Sequence, residues 1–204
     1  MRPGDGEDAV ITGYDAVVLA GGRGARLGAP SKPDVQVAGR RLLDIAVSAA
    51  GGANRIVVVG DVEVPEGVLR TREDPIFGGP VAGLTAGLAC LSDPAEWTLL
   101  LACDLPDAEA AVAQLLAASP GPEHDGACLL DADGRNQWLL GCYRTVALAA
   151  RLSEGGDPPL TALYRLLGPL KLLGVDPGPA IVDDLDTPAD AHRWAKILAD
   201  GDPG

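Results

Sequence analysis

The sequence predicts an α/β fold, a single-domain Rossmann-like three-layer sandwich around a mostly parallel sheet. Three observations lead there. Short apolar runs alternate with Ala- and Leu-rich stretches of helical length along most of the chain. The strand-like runs are apolar throughout rather than every second residue, the pattern of strands covered on both faces. Hydrophobic residues make up 47% of the 204 residues but aromatics only 3%, so Val, Leu and Ala must fill the core.

The elements follow in order. Residues 1–13 are Gly- and Asp-rich and read as a loose tail, leaving 14–199 as the domain and 200–204 as a second flexible end. Asp15 to Ala20 reads as a buried strand. A helix spans about Arg41 to Ala50, and Ile56 to Gly60 is a second strand. Gly83 to Leu91 looks helical, Thr98 to Ala102 is a third apolar strand, and a helix runs from about Asp107 to Ala118. Strands follow near Ala127 to Leu130 and Trp138 to Tyr143. Helices near Thr145 to Ser153 and Leu160 to Leu167 lead to a strand near Leu170 to Val175. The last helix begins at Thr187, with Pro188 in its first turn and Asp190 as favourable N-terminal charge.

In such sheets ligands sit beyond the carboxyl ends of the strands, which selects Gly21–Lys32, Gly60–Asp61, Asp74 and Cys103–Asp104. The first of these is the most informative. Val17-Val18-Leu19-Ala20 runs directly into Gly21-Gly22-Arg23-Gly24-Ala25-Arg26-Leu27-Gly28, with Lys32 shortly after. Glycines let backbone N–H groups approach a ligand closely, and Arg23, Arg26 and Lys32 supply cations where phosphate oxygens would lie. The dinucleotide fingerprint is excluded because Leu27 stands where its third glycine belongs. The Walker pattern is excluded because Lys32 sits between Ser31 and Pro33. The spacing fits the signature loop of nucleotidyltransferases.

Sixteen basic against 29 acidic residues give a net charge of −13, which argues against a nucleic-acid surface. Within that acidic chain Arg23, Arg26, Lys32, Arg40 and Arg41 form a basic island opposed only by Asp34, which points to an anion site. Cys90, Cys103, Cys128 and Cys142 lack C-x-x-C spacing and lie beside apolar residues, so they read as reduced core thiols. The first residues carry no apolar leader segment, and no run approaches a membrane span. A cytoplasmic protein with no membrane partner is expected.

Asp104 follows a buried strand, where an isolated carboxylate is costly unless paired or on a metal. Beside a phosphate loop, Mg²⁺ bridging Asp104 and nucleotide phosphates is the natural reading. The alternative is a cap for the helix near Asp107. Asp186, in Asp183-Asp184-Leu185-Asp186-Thr187-Pro188, either joins that metal or caps the last helix. Asp74, before Gly78-Gly79-Pro80-Val81-Ala82-Gly83, either accepts hydrogen bonds from a base or ribose or serves an ordinary turn. His124 and His192 have no partner at metal-ligand spacing.

Over roughly residues 14 to 196 the chain resembles the molybdenum-cofactor guanylyltransferase-like nucleotidyltransferases. The resemblance rests on LAGGRGARLG with Lys32, on Glu73-Asp74 with Gly79-Pro80-Val81-Ala82-Gly83, on Cys103-Asp104-Leu105-Pro106, and on Asp186-Thr187-Pro188. It implies a nucleotide-diphospho-sugar transferase type of sheet, and an enzyme that takes GTP or another NTP with Mg²⁺. Such an enzyme transfers the NMP to a phosphate-bearing acceptor such as molybdopterin, releasing pyrophosphate. By position, Leu19, Ala20, Gly21 and Gly22 would bind the nucleotide through their backbone. Arg26 and Lys32 would neutralise phosphates, Asp74 would contact the nucleoside, and Asp104 would ligate Mg²⁺.

Departures fall on the metal and acceptor side. Asp184-Leu185-Asp186 stands where the guanylyltransferases often show Asn-x-Asn, and is more like cytidylyl- and sugar-nucleotide enzymes. Ser31-Lys32-Pro33 is similar to the sugar-phosphate branch, and Trp138 replaces a proline common in Gln-Pro-Leu. CTP-dependent transfer to molybdopterin, transfer to a sugar or other small phosphate, and a nucleotide-binding protein without catalysis are the competing readings.

Overall fold

The computed structural model describes residues 11, 13–21, 32–76, 78–154 and 163–178. Of the two ends expected to be loose, residues 1–10, 12 and 200–204 lie outside the described residues, whereas Ile11 is buried in the core. Gly22 to Ser31 with Arg23 and Arg26, and the expected last helix with Asp186 and His192, also lie outside them.

β1 (Tyr14–Leu19), β4 (Ile56–Val59) and β6 (Trp97–Ala102) are the three apolar runs read as strands, and they form the middle of a seven-stranded sheet. The remaining strands are β5 (Leu69–Thr71), β7 (Gly126–Leu130), β8 (Asn136–Arg144) and β9 (Leu172–Val175), and the order is β5-β4-β1-β6-β8-β7-β9. Every pairing is parallel except those of β8, which runs antiparallel to both β6 and β7. A two-stranded ribbon, β2 (Gln36–Val37) with β3 (Arg40–Arg41), stands apart.

Both faces of the sheet are covered, which is why β1 and β6 are buried at every position. Ala16 and Val18 of β1, with Ala20 just after it, face one apolar cluster with Leu42, Leu43 and Ile45 of α1 (Leu42–Ala49) and Val112 and Leu115 of α3 (Ala108–Ala117). Val17 and Leu19 face the other, with Val81 and Leu84 of α2 (Gly79–Ala89), Leu148 of α4 (Thr145–Glu154) and Leu166 of α5 (Leu163–Leu167). The expected three layers are therefore present.

The helix α2 lies unusually close to the sheet. A Cβ built on Gly87 would meet Val17 Cγ1 at 2.5 Å, and one on Gly83 would meet Leu19 Cδ2 at 3.1 Å. Two glycines one helical turn apart thus let the backbone of α2 rest on the side chains of β1. Proline in the first turn starts this helix at Gly79, four residues before the sequence-based estimate of Gly83.

At the amino-terminal edge of the sheet, Asp15 is fully buried. It accepts two hydrogen bonds from Arg55, at 3.1 and 2.8 Å, and one from the Ala95 backbone N–H at 2.8 Å. That fastening sits at the end opposite the glycine loop. Cys103, Cys128 and Cys142 are buried free thiols, as expected of core residues, but Cys90 is exposed at the end of α2. Burial pushes the thiols of Cys128 and Cys142 up to about 12, so they stay protonated. No helix among the described residues is long and apolar enough to cross a membrane.

Candidate active site

The carboxyl ends of β1, β4 and β6 open into a cleft of about 500 Å³. Leu19 and Gly21 line it from the first loop, Val59 from β4, and Ala102, Cys103 and Asp104 from the end of β6. Glu73 lies at its side with Gly79, Pro80 and Gly83 of α2. Gly79 has a φ of +87°, a left-handed conformation that favours glycine, so the chain turns sharply into α2 at the wall of the cleft. The amino-terminal, positive end of α2 faces the same space.

At the floor, Lys32 Nζ donates to Asp104 Oδ2 at 2.6 Å across 72 residues of sequence. Both side chains are about one-fifth exposed, at 19% and 18%. Asp104 Oδ1 is shut off from solvent and has no hydrogen-bond partner. An ionised oxygen in that condition is costly, and an arriving cation or donor would satisfy it. Asp104 does not cap α3: the capping position is Asp107, whose side chain makes no capping bond. In place of a cap, the Asp104 carboxylate is paired with Lys32.

A single divalent cation fits this donor. Hard oxygen ligands suit Mg²⁺, which keeps several waters and takes one or two carboxylates plus phosphate oxygens. Among the described residues no group of three or more His, Cys, Asp or Glu side chains is placed to hold a metal.

The other sequence-selected residues separate. Leu19, Gly21, Lys32 and Asp104 line the cleft, and Ala20 lies buried beside them. Asp74 is exposed and outside the lining, whereas its neighbour Glu73 lines the cleft; Glu73 Oε1 lies 3.5 Å from a Cβ built on Gly21. Gly60–Asp61 also lies outside the lining, and Asp61 is an exposed partner of Arg72 at 3.4 Å.

The basic island is smaller than the sequence implied. Arg40 is held by Glu109 of α3 through two hydrogen bonds, at 3.1 and 2.8 Å. Arg41 is held by Asp44 and Asp34. Their side-chain bonds lower the carboxyl pKa values of Glu109 and Asp44 and raise those of the guanidinium groups. These two arginines tie β3 to α1 and α3 and are not part of an anion site. Lys32 is the member of the island seen in the cleft.

A second hollow of about 280 Å³ adjoins the first and shares Pro80, Ala102, Asp104 and Leu139 with it. Leu105, Leu163 and the start of β8, from Asn136 to Leu140, complete its lining. The rule of strand ends does not select this part of β8, because its residues stand at the beginning of a strand. Trp138 alone is marked there, through the family pattern, as lying on the acceptor side.

Residues 16–170 match a family model described as the MobA-like NTP transferase domain. The chain is 28% identical over 195 residues to a molybdenum cofactor guanylyltransferase of Serratia proteamaculans, covering 91% of this chain and 94% of that one. It is 30% identical over 189 residues to one of Pseudomonas syringae pv. syringae, covering 84% and 88%. Among solved structures, the Archaeoglobus fulgidus molybdopterin-guanine dinucleotide biosynthesis protein A superposes with a TM-score of 0.67 at 18% identity, over 92% of this chain and 100% of that one. An inositol-1-phosphate CTP transferase from T. maritima superposes with a TM-score of 0.66 at 17% identity, over 95% and 99%. These two likenesses concern the fold.

Proposed function

We propose that this chain, which belongs to the MobA-like NTP transferase family and is a nucleotidyltransferase, transfers GMP from GTP to the phosphate of molybdopterin and releases pyrophosphate. The observation that carries the reading is Asp104. Its carboxylate stands at the floor of the cleft with one oxygen on Lys32 and the other enclosed and unpartnered.

Transfer of this kind needs alignment and charge neutralisation more than a covalent nucleophile. Leu19, Ala20, Gly21 and Gly22 bind the nucleotide through backbone groups. Lys32 and Arg26 place positive charge on the departing pyrophosphate, and the Glu73–Asp74 pair contacts the nucleoside, with Glu73 rather than Asp74 as the carboxylate that lines the cleft. Asp104 and Asp186 would hold the metal. Mg²⁺, when bound, supplies further neutralisation of phosphate charge. Lys32 also orients Asp104 by donating to Oδ2, so the carboxylate is positioned before substrate arrives.

Asp184-Leu185-Asp186 favours CTP as the second donor candidate. Pyrophosphate release from GTP, CTP and ATP, each with Mg²⁺ and molybdopterin, separates the two. GTP is expected to be preferred, because a cleft carboxylate matches the adjacent N1–H and N2–H₂ donors of guanine, a pair that cytosine lacks. Equal or faster turnover of CTP would overturn the guanine assignment, and no release from any NTP would overturn the reading as a whole.

A further inference from the structure

The second hollow lies beyond Asp104 from the nucleotide cleft, sharing Asp104 and Leu139 with it, so a group held there meets the transferred phosphate at that carboxylate. Its lining divides sharply. Leu105, Leu139, Leu140, Leu163 and Trp138 are apolar, Asn136 and Gln137 bring neutral amides, and among the described residues no lysine or arginine lines it.

From this lining we infer that Trp138 is a specificity residue for the acceptor, giving a flat, uncharged heteroaromatic ring a face to stack on. The inference rests on the proposed transfer to a phosphate-bearing acceptor and adds the chemistry of that acceptor's body. Trp138 is half-buried, packed against the apolar cluster that holds Leu163 and Leu166, while lining the hollow. Its backbone carbonyl accepts from the Tyr143 hydroxyl at 2.8 Å, which fixes the strand beneath it. Gln137 donates through Nε2 to Asp131 Oδ2 at 3.3 Å, so its amide is oriented and its carbonyl oxygen is left to accept from a ring N–H. A polyol needs donors and acceptors on all sides, and five apolar residues would strand its hydroxyls. A planar ring with polar edges loses little there.

The test is calorimetric titration with a pterin bearing one side-chain phosphate, and in parallel with myo-inositol 1-phosphate and glucose 1-phosphate, each with and without GTP and Mg²⁺. The wild type should bind the ring phosphate and neither polyol. Trp138→Phe keeps a stacking face and should bind comparably. Trp138→Leu keeps apolar bulk and should bind roughly 5- to 100-fold more weakly, with GTP affinity unchanged. A polyol phosphate bound as tightly as the ring phosphate would overturn the inference, as would a Leu variant that binds like the wild type. Because GTP binding is measured separately, its loss would count against the proposed donor and leave the acceptor result intact.

Discussion

Replacing Asp104 by asparagine should separate stability from turnover. The substitution keeps the shape and removes the charge. It weakens the 2.6 Å bond from Lys32, a charge-assisted contact worth about 1.5–3 kcal/mol, and partial exposure places it at the low end. It also exchanges an enclosed carboxylate oxygen without a partner, whose burial costs about 1–3 kcal/mol, for a neutral amide atom that is still unpaired but cheaper to bury. The two effects oppose each other, so folding free energy should move by no more than about 1 kcal/mol and Tm by about 2–4 °C. Turnover should fall on the order of 10²–10³ or more, the usual loss when an electrostatic element of the transition state goes. Scanning calorimetry and pyrophosphate release across a Mg²⁺ titration measure both sides. Near-wild-type release with an ordinary Mg²⁺ requirement would refute the metal role. A stability loss of about 3–5 kcal/mol, the size seen when a buried pair is broken, would instead make Asp104 a structural anchor.

Lys32→Ala should lower kcat by on the order of 10²–10³ while weakening NTP binding less than about tenfold; wild-type turnover would place its ammonium away from the leaving group. Gly87→Val should cost about 2–3 kcal/mol in urea denaturation, since even a Cβ at that position comes within 2.5 Å of Val17; an unchanged midpoint would mean α2 sits farther from β1. Arg40→Ala should leave turnover unchanged and cost no more than about 0.5 kcal/mol, because its pair with Glu109 is half exposed. Glu109 and Asp44 have lowered folded-state pKa values. Their contribution is therefore complete above the ordinary values of 4.5 and 3.8 and is lost as pH falls through the lower folded ones, a loss of acid stability that Arg40→Ala and Arg41→Ala should reduce.

The central strands were legible because burial on both faces writes them as unbroken apolar runs. β5 was not, since Leu69-Arg70-Thr71 is a short edge strand with little burial, and neither was the β2–β3 ribbon of two residues a side. The start of α2 was hidden because Gly78-Gly79-Pro80 reads as a loop until its proline is seen in the first turn. At the site, Lys32 and Asp104 were visible from their places after buried strands. Arg40 misled because counting nearby charges cannot see Glu109, 69 residues away, and Arg41 because its main partner, Asp44, stands just past the counted stretch. Glu73 was visible as part of its motif, but only the turn after β5 decides which of two adjacent carboxylates reaches the cleft.

The reversed direction of β8 has a consequence for how such an enzyme can diversify. On the proposed function, the nucleotide phosphates constrain loop length at the ends of β1 and β6. The tight turn joining β7 to β8, in which Asp131 accepts from the backbone N–H groups of Asp133 and Arg135, carries no such duty, yet it reaches the same rim of the sheet. Hairpin turns absorb insertions at small entropic cost. One half of the chemistry can thus stay fixed on parallel strands while the other half is rewritten on a single reversed strand and its turn. New acceptors can then be reached by a few substitutions between Asp131 and Leu140, with the machinery that handles the triphosphate left untouched.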